Sequence, residues 1–324
     1  MSHTLDPRLA EAAARHGVFL RKEAVAAGYD DGQIAALVRR GTWHRVRHGA
    51  YVDGAVWAAL DARHRHLTTA RAAVRSAAVE VVASHVTSAL AHGADTWNVT
   101  TDEVHLTRRD QRTGRREAGV VQHRGALGDE DVVTTNGLTH TSGTRAALEV
   151  ASMPTIDLEH GLVVVNSLLH RGVTTVEKLA QAADEAAHWP YTLSIPRLLA
   201  LADGRVETVG ESRTLYLCHI ERIPLPVPQV AITDHTGLVF ARVDFAWPDL
   251  GVFLEFDGKI KYQGALVDGT DVTSVVLAEK RREERIIEAT GWRVIRITWA
   301  DLAHPERIAE RIRTVLAAAA RRAG

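Results

Sequence analysis

The sequence predicts a protein of the mixed α/β fold class that is divided into several domains. A chain of 324 residues is too long to fold around a single hydrophobic core and normally divides into domains. Hydrophobic residues make up 46% and charged residues 24%, which is the composition of a folded chain rather than a disordered one. The pattern of predicted elements also changes twice along the chain. We therefore predict three domains, an N-terminal part (residues 1–55), a middle part (56–203) and a C-terminal part (204–324).

The N-terminal part has the element order helix, helix, helix, hairpin. The helices are predicted over residues 7–16, 21–27 and 32–40, because glycines end each apolar stripe. Alternating residues from Trp43 to Val52, with Gly49 between them, predict two short strands and a turn. This order is that of a winged helix-turn-helix. In that fold the third helix enters the DNA major groove and the hairpin contacts the backbone.

Basic residues are concentrated at the end of the third helix and in the hairpin. Residues 39–48 contain four arginines, two histidines and no acid; the arginines are Arg39, Arg40, Arg45 and Arg47. These arginines are candidates for phosphate contacts, with DNA as the partner. The alternative is that basic residues near the end of a helix are favoured by the helix dipole alone.

The middle part alternates helices and strands and indicates little about chemistry. An alanine-rich segment predicts one long helix over residues 58–80, and a second helix is predicted over 84–92. Short strands are predicted over residues 103–107, 119–123 and 131–135.

The C-terminal part follows the order helix, three strands, helix, strand, helix. The first helix begins at Gly210 and ends near Arg222. The elements that follow are predicted over residues 229–233, 238–247, 251–257, 272–290, 292–299 and 304–322.

Two carboxylates lie within apolar strands of this part. Asp244 and Glu255 are on consecutive predicted strands, and a carboxylate in such surroundings is costly unless something compensates its charge. Two of them close together would suit Mg²⁺, which takes oxygen ligands and can activate water for attack on a phosphate. The alternative is that each carboxylate pairs with an arginine such as Arg242 or Arg296.

Four sequence blocks resemble a known family. They are Glu211-Ser, Val243-Asp-Phe-Ala-Trp-Pro, Glu255-Phe-Asp-Gly-Lys, and the run from Lys280 that leads to Gly291-Trp-Arg-Val-Ile-Arg. In this order they resemble the nuclease-like domain related to very-short-patch-repair endonucleases, within the PD-(D/E)XK superfamily. The resemblance implies a restriction-endonuclease-like α-β-β-β-α-β core with Mg²⁺ or Mn²⁺ as cofactor.

The same resemblance implies roles for individual residues. Asp244 and Glu255 match the metal-binding and catalytic acids, and Glu211 matches the helical acid that completes the site. Asp257 stands at the position of the superfamily lysine, so either Asp257 is a further metal ligand or Lys259 takes the lysine's catalytic role.

A basic position of the family helix is matched by Lys280 or Arg281, which would then contact the scissile phosphate of DNA. The alternative is that the run of seven charges from 279 to 285 is a solvated helix face.

The N-terminal part resembles the winged helix of AbiE-type antitoxins. The matching segments are Phe19-Leu-Arg-Lys-Glu-Ala, Gly28-Tyr-Asp-Asp, Leu37-Val-Arg-Arg-Gly-Thr-Trp and Gly49-Ala-Tyr-Val. This resemblance implies DNA binding.

Two functions follow from these patterns. The first, which the three acids favour, is a Mg²⁺-dependent DNA endonuclease that the winged helix delivers to DNA, in defence or repair. The second, which the missing lysine favours, is a transcriptional regulator or antitoxin-like protein whose nuclease domain is inactive. A protein partner or a homodimer is compatible with either.

Composition excludes other classes of protein. A single cysteine, Cys218, excludes an intramolecular disulfide framework and a cysteine-rich zinc site. The formal net charge of −1 means that DNA affinity must come from local basic patches. The sequence shows no signal peptide and no apolar stretch of membrane-spanning length, so we expect a soluble, cytoplasmic protein without a membrane partner.

Overall fold

The computed structural model describes residues 5–112, 114–258 and 272–323, with side chains described from Glu279 onward in the last segment. It contains a three-stranded, a six-stranded and a four-stranded sheet, each with helices packed on it. The strands of these sheets lie within residues 19–53, 81–141 and 227–298 respectively. The predicted mixed α/β multi-domain fold class is confirmed, while the domain boundaries stay a prediction.

The N-terminal part folds as three helices and a small antiparallel sheet of order β1-β3-β2. Its elements are α1 (Pro7–His16), β1 (Phe19–Leu20), α2 (Arg21–Ala26), α3 (Asp31–Arg39), β2 (Trp43–Arg47) and β3 (Ala50–Asp53). The predicted helices and hairpin are present. Strand β1 was not predicted, because two residues are too few to show an alternating pattern.

Capping and aromatic packing explain why this segment folds as it does. The Asp6 carboxylate accepts a hydrogen bond from the Arg8 N–H, and the Asp30 carboxylate accepts one from the Gln33 N–H, which begins α1 and α3. Trp43 is fully buried, and its ring centroid lies 4.7 Å from that of Phe19.

The middle part is a six-stranded sheet of order β6-β7-β5-β4-β9-β8, packed against helices. Its strands are β4 (Val81–Ala83), β5 (Val104–Arg108), β6 (Arg116–Glu117), β7 (Val120–Arg124), β8 (Val132–Thr135) and β9 (Leu138–Thr141). Its helices are α4 (Gly54–Ala59), α5 (Ala62–Ser76), α6 (His85–Ala91), α7 (Gly143–Ala151), α8 (Leu158–His170), α9 (Val176–Glu185) and α10 (Ile195–Leu201), and a 3-10 helix spans Thr192–Ser194.

The prediction of one helix over residues 58–80 is wrong. Helix α4 ends at Ala59, and the backbone of Leu60 after it is extended. Helix α5 begins after Asp61, whose carboxylate accepts a hydrogen bond from the His64 N–H at 2.8 Å. Alanine-rich composition favours helix throughout the segment, but a capping aspartate starts a new helix. The predicted strands at 103–107, 119–123 and 131–135 correspond to β5, β7 and β8.

The C-terminal part is a four-stranded sheet of order β10-β11-β12-β13. Its elements are α11 (Val209–Ile220), β10 (Val227–Thr233), β11 (Val239–Trp247), β12 (Val252–Asp257), α12 (Val272–Thr290), β13 (Arg293–Thr298), α13 (Trp299–Leu302) and α14 (Pro305–Ala323), with a 3-10 helix at Pro248–Leu250. Strands β10, β11 and β12 pair antiparallel, and β13 joins β12 in parallel. The predicted α-β-β-β-α-β order is therefore observed, with α13 as a short addition.

Hydrophobic side chains cover both faces of this sheet. On one face, Leu215 of α11 and Ile312 of α14 pack with Leu254. On the other face, Ile286 of α12 packs with Phe253 and Val243. Because both faces are covered, a charged side chain on the central strands must find a partner between strand and helix.

Within the part of the chain that the structure describes, no helix combines the length and the apolar character needed to cross a membrane.

Candidate functional site

Three of the four arginines proposed to contact DNA are exposed on the winged helix. Arg39 is the last residue of α3, Arg40 follows it, and Arg45 lies on β2. The Arg40 guanidinium donates a hydrogen bond to the carbonyl oxygen of Ala36 at 3.3 Å, so it also caps the end of α3.

Arg47 differs from these three residues. Its side chain is partly buried, and its pKa is lowered, chiefly by that burial. Arg39 and Arg45 are therefore the two of the four that are exposed and do not cap the end of α3.

An ion pair that sequence reasoning missed lies at the start of α3. The Arg21 guanidinium donates two hydrogen bonds to the Asp31 carboxylate, at 2.8 and 2.6 Å, and both side chains are exposed. This Arg21 hydrogen bond lowers the pKa of Asp31. The two residues are ten positions apart on different helices, so no helical or strand spacing in the sequence indicates the pair.

The second candidate site is the acidic cluster, which we define as Glu211, Asp244 and Glu255. Glu211 lies in the first turn of α11, Asp244 on β11 and Glu255 on β12. The pKa of Glu211 and that of Glu255 are both raised, first by burial and further by the negative charge of Asp244. Asp244 thus lies within electrostatic reach of both Glu211 and Glu255.

Glu211 is buried and its carboxylate is enclosed by donors. One oxygen accepts a hydrogen bond from the Thr208 hydroxyl at 2.8 Å. The other accepts from the Glu207 N–H at 3.0 Å and from the Gln229 amide at 2.9 Å. These bonds satisfy the carboxylate within the protein.

Asp244 connects two strands. Its Oδ2 accepts a hydrogen bond from the backbone N–H of Phe256 on β12, at 2.8 Å. The residue opposite Asp244 on β10 is Gln229, where the backbone is left-handed at φ 54° and the ladder is interrupted. The Gln229 side chain donates a hydrogen bond to Glu211, so the residue opposite Asp244 contacts a second acid of the cluster.

Glu255 is paired with an arginine of α12. The Arg282 Nη2 lies 3.2 Å from Glu255 Oε1, and the Arg282 Nη1 donates a hydrogen bond to Oε2 at 3.4 Å. The Nη2 contact has the distance of an ion pair without hydrogen-bond geometry, so Oε1 is buried without a hydrogen-bond donor.

An arginine does neutralise one of these acids, as the alternative predicted, but it is Arg282 beside Glu255 rather than Arg242 or Arg296. Arg242 pairs with Glu207 at 2.5 Å, and Arg296 pairs with Glu283.

The acidic cluster does not fit a divalent cation as it is arranged. Mg²⁺ requires open carboxylate oxygens at near-octahedral positions. Here Glu211 accepts protein hydrogen bonds with both oxygens, and a guanidinium lies against Glu255. Among the residues that the structure describes, no three histidine, cysteine, aspartate or glutamate side chains are grouped so that they could hold a metal ion.

The remaining predicted residues of this site are placed as follows. Asp257 ends β12, partly buried, beside Thr298 of β13. Lys259, proposed to replace the superfamily lysine, lies outside the described residues. Lys280 is exposed and lies 3.9 Å from Glu284, and Arg281 is exposed as well.

Arg282 is the residue of this site that sequence reasoning missed. Residues four apart lie on the same face of a helix, but the sequence left two choices, because Ile286 would select Arg282 and Ile287 would select Glu283. Ile286 is the buried apolar anchor of α12, so the basic residue one turn before it, Arg282, faces the sheet. Lys280 and Arg281 do not have this spacing from Ile286.

A third group of titratable side chains lies in the middle part. His105 Nδ1 and His123 Nε2 are 2.9 Å apart, and the ring of His85 stacks on that of His123 at 3.7 Å. Burial lowers the pKa of His105 and of His123 to about 4. We call these three residues the histidine cluster. No pattern in the sequence indicates it, because the residues come from α6, β5 and β7.

Comparison with known proteins bears on the N-terminal part. Residues 7–52 match the family described as transcriptional regulator, AbiEi antitoxin. This segment runs from the first residue of α1 into β3, so it is the winged helix itself. The resemblance predicted for this part is confirmed, while the nuclease resemblance of the C-terminal part stays a prediction.

The chain is also similar to two uncharacterised proteins of Mycobacterium tuberculosis, from strain CDC 1551 / Oshkosh and strain ATCC 25618 / H37Rv. It is 34% identical to each over 116 residues. The aligned segment spans 36% of this chain and 39% of each relative, so it covers well under half of either protein.

Proposed function

We propose that the protein is a DNA-binding regulator of the antitoxin type, which binds duplex DNA through its winged helix. The observation that carries this proposal is the coincidence of the AbiEi match over residues 7–52 with a complete winged helix. Exposed arginines at the end of α3 and on β2 supply the positive charge that phosphate binding requires.

In this proposal α3 enters the major groove and the β2–β3 hairpin follows the backbone. Arg39 at the end of α3 and Arg45 on β2 contact phosphates. Since the formal net charge is −1, these local charges rather than an overall field attract the DNA.

The test is the salt dependence of binding to a mixed-sequence duplex of about 30 base pairs, measured by fluorescence anisotropy. Each phosphate contact contributes about −0.9 to the slope of log K against log salt concentration. The double variant Arg39→Ala/Arg45→Ala should therefore bind more weakly, with a slope flatter by about 2 units.

A control variant removes the same charge elsewhere. Arg197 and Arg307 are exposed in the middle and C-terminal parts, and Arg197→Ala/Arg307→Ala should keep the wild-type slope. If the double variant of the winged helix keeps the affinity and slope of the wild type, the proposed interface is wrong.

A second candidate function is metal-dependent hydrolysis of phosphodiester bonds, with Mg²⁺ or Mn²⁺ as cofactor. The observation that favours it is the acidic cluster, in which three carboxylates from α11, β11 and β12 interact electrostatically. The pairing of Glu255 with Arg282 opposes it, because a metal ion and a guanidinium compete for the same carboxylate.

Nicking of supercoiled plasmid, with and without Mg²⁺ or Mn²⁺, tests this second function. Glu255→Gln should remove nicking and leave DNA binding intact, and Lys259→Ala should lower nicking by at least about tenfold. If the protein binds DNA but nicks no duplex, single-stranded or mismatched substrate in the presence of either metal, this second function is wrong.

A further inference from the structure

The three carboxylates of the acidic cluster differ in how many hydrogen-bond donors surround their charge. Both oxygens of Glu211 accept protein hydrogen bonds, and Asp244 accepts one from the Phe256 N–H. Glu255 has one oxygen that is buried without a hydrogen-bond donor. A carboxylate in this condition requires a positive charge beside it.

Arg282 supplies that charge at a fixed position. Besides its contacts of 3.2 and 3.4 Å with the Glu255 carboxylate, its guanidinium donates a hydrogen bond to the carbonyl oxygen of Arg242. Arg242 is two residues before Asp244 on β11. The guanidinium thus bridges β11 and β12, the two strands that carry acids of the cluster.

Other basic side chains around the sheet are engaged with other acids. Arg242 pairs with Glu207, Arg296 with Glu283, and Lys280 lies near Glu284. Within the described residues, these pairs leave Arg282 as the cation in contact with Glu255.

We propose that Arg282 is the resident cation of the acidic cluster and takes the place of a divalent metal ion there. While Arg282 contacts Glu255, the cluster binds no divalent cation. This inference goes beyond DNA binding by the winged helix and does not depend on it. It also means that the second candidate function requires Arg282 to leave Glu255.

Binding of Mn²⁺ to the full chain tests the proposal. Arg282→Met removes the charge and keeps an apolar side chain of comparable length. The melting temperature of this variant should rise by roughly 5 °C in millimolar Mn²⁺, since a ligand that binds only the folded state stabilises it. The wild type should show no such rise.

Two further variants identify the cause. Lys280→Met removes a neighbouring exposed charge from the same helix and should behave as the wild type does. Arg282→Met/Glu255→Gln removes the carboxylate as well and should lose the Mn²⁺ response. If Arg282→Met does not fold, Arg282→Gln replaces it in the same comparison.

The proposal is overturned by either of two results. One is a wild-type Mn²⁺ response that Glu255→Gln removes, because the metal would then bind beside Arg282. The other is a folded neutral variant at position 282 that gains no response. DNA binding is measured by anisotropy on the same samples, so a failure of the winged-helix proposal is detected separately.

Discussion

Gly210 allows helix α11 to pack closely against strand β12 beside the acidic cluster. It precedes Glu211 in α11, and a Cβ built at Gly210 would lie 2.1 Å from the Phe256 ring. Phe256 is also the residue whose N–H donates to Asp244. A glycine at this position therefore lets α11 approach β12 closely enough for the acids on the two elements to interact.

Replacing Gly210 with alanine should destabilise the protein. The added methyl group must displace the Phe256 ring, and such overpacking costs about 1–3 kcal/mol. Urea denaturation should show a lower midpoint with an unchanged slope.

Two comparisons separate overpacking from a general effect of alanine. Gly32→Ala, at an exposed position of α3 where the added Cβ would meet only the Asp30 carboxylate at 3.2 Å, should cost much less than Gly210→Ala. Gly210→Ala/Phe256→Leu should recover part of the loss because the smaller side chain makes room. A stable Gly210→Ala protein would contradict the close approach of α11.

Candidate residues could be identified from the sequence where they depend on local pattern, but not where they depend on geometry across elements. Asp244 and Glu255 stood out as acids within apolar strands, and the family resemblance added Glu211; in the fold, Glu211 and Glu255 both lie within electrostatic reach of Asp244. The contact between Arg282 and Glu255 joins residues 27 positions apart on different elements. A run of consecutive charges does not indicate which member faces the sheet until the buried Ile286 fixes the helix face.

At the scale of elements, the histidine cluster has a consequence for acid stability. It forms where β5 pairs in parallel with β7, beside the start of α6. Burial lowers the pKa of His105 and His123 to about 4, whereas an unfolded histidine titrates near 6.5. Between these values the unfolded chain binds more protons than the folded protein, so stability is lost as the pH falls from 6.5 towards 4.

The variant His105→Gln/His123→Gln should lose less stability than the wild type over that pH range. Each histidine accounts for up to about 1.4 kcal/mol per pH unit. Burial raises the pKa of Glu149, which acts in the opposite direction, so the difference between the two proteins is the relevant quantity. Urea unfolding at pH 7.0, 5.5 and 4.5 measures it, and parallel pH profiles would contradict the prediction.

Element boundaries were predictable where a cap or a glycine marks them. Helix α1 was predicted at its observed bounds because Asp6 caps it and Gly17 ends it with a left-handed backbone. Strands β4 and β9 were not predicted. They have three and four residues, too few to show an alternating pattern; β4 is a strand through pairing with β5, which is distant in sequence, whereas β9 pairs mainly with its neighbour β8.

At the scale of the whole molecule, the middle and C-terminal parts share a polar and aromatic contact. The Trp97 ring stacks on that of Trp299, with centroids 5.1 Å apart. The Arg213 guanidinium lies 4.6 Å from the Trp97 centroid and donates a hydrogen bond to Glu159 of α8 at 2.6 Å. Arg213 is two residues after Glu211, so this contact fixes the helix that carries one acid of the cluster.

The stacked pair should therefore contribute to the stability of the assembled chain as a coupled unit. Aromatic pairs contribute about 0.5–1.5 kcal/mol beyond the area they bury, and a cation over the ring adds to this. In a double-mutant cycle of Trp97→Ala and Trp299→Ala, the coupling energy should be about 1 kcal/mol, measured by urea unfolding. As a control, Trp57 stacks on His44 in a different contact, so Trp57→Ala and Trp299→Ala should be additive. If Trp97→Ala and Trp299→Ala are additive within about 0.4 kcal/mol, the stability of the chain does not depend on contact between the two rings. Helix α11 would then be positioned by the hydrogen bond between Asn166 and Ser212 and by the packing around it.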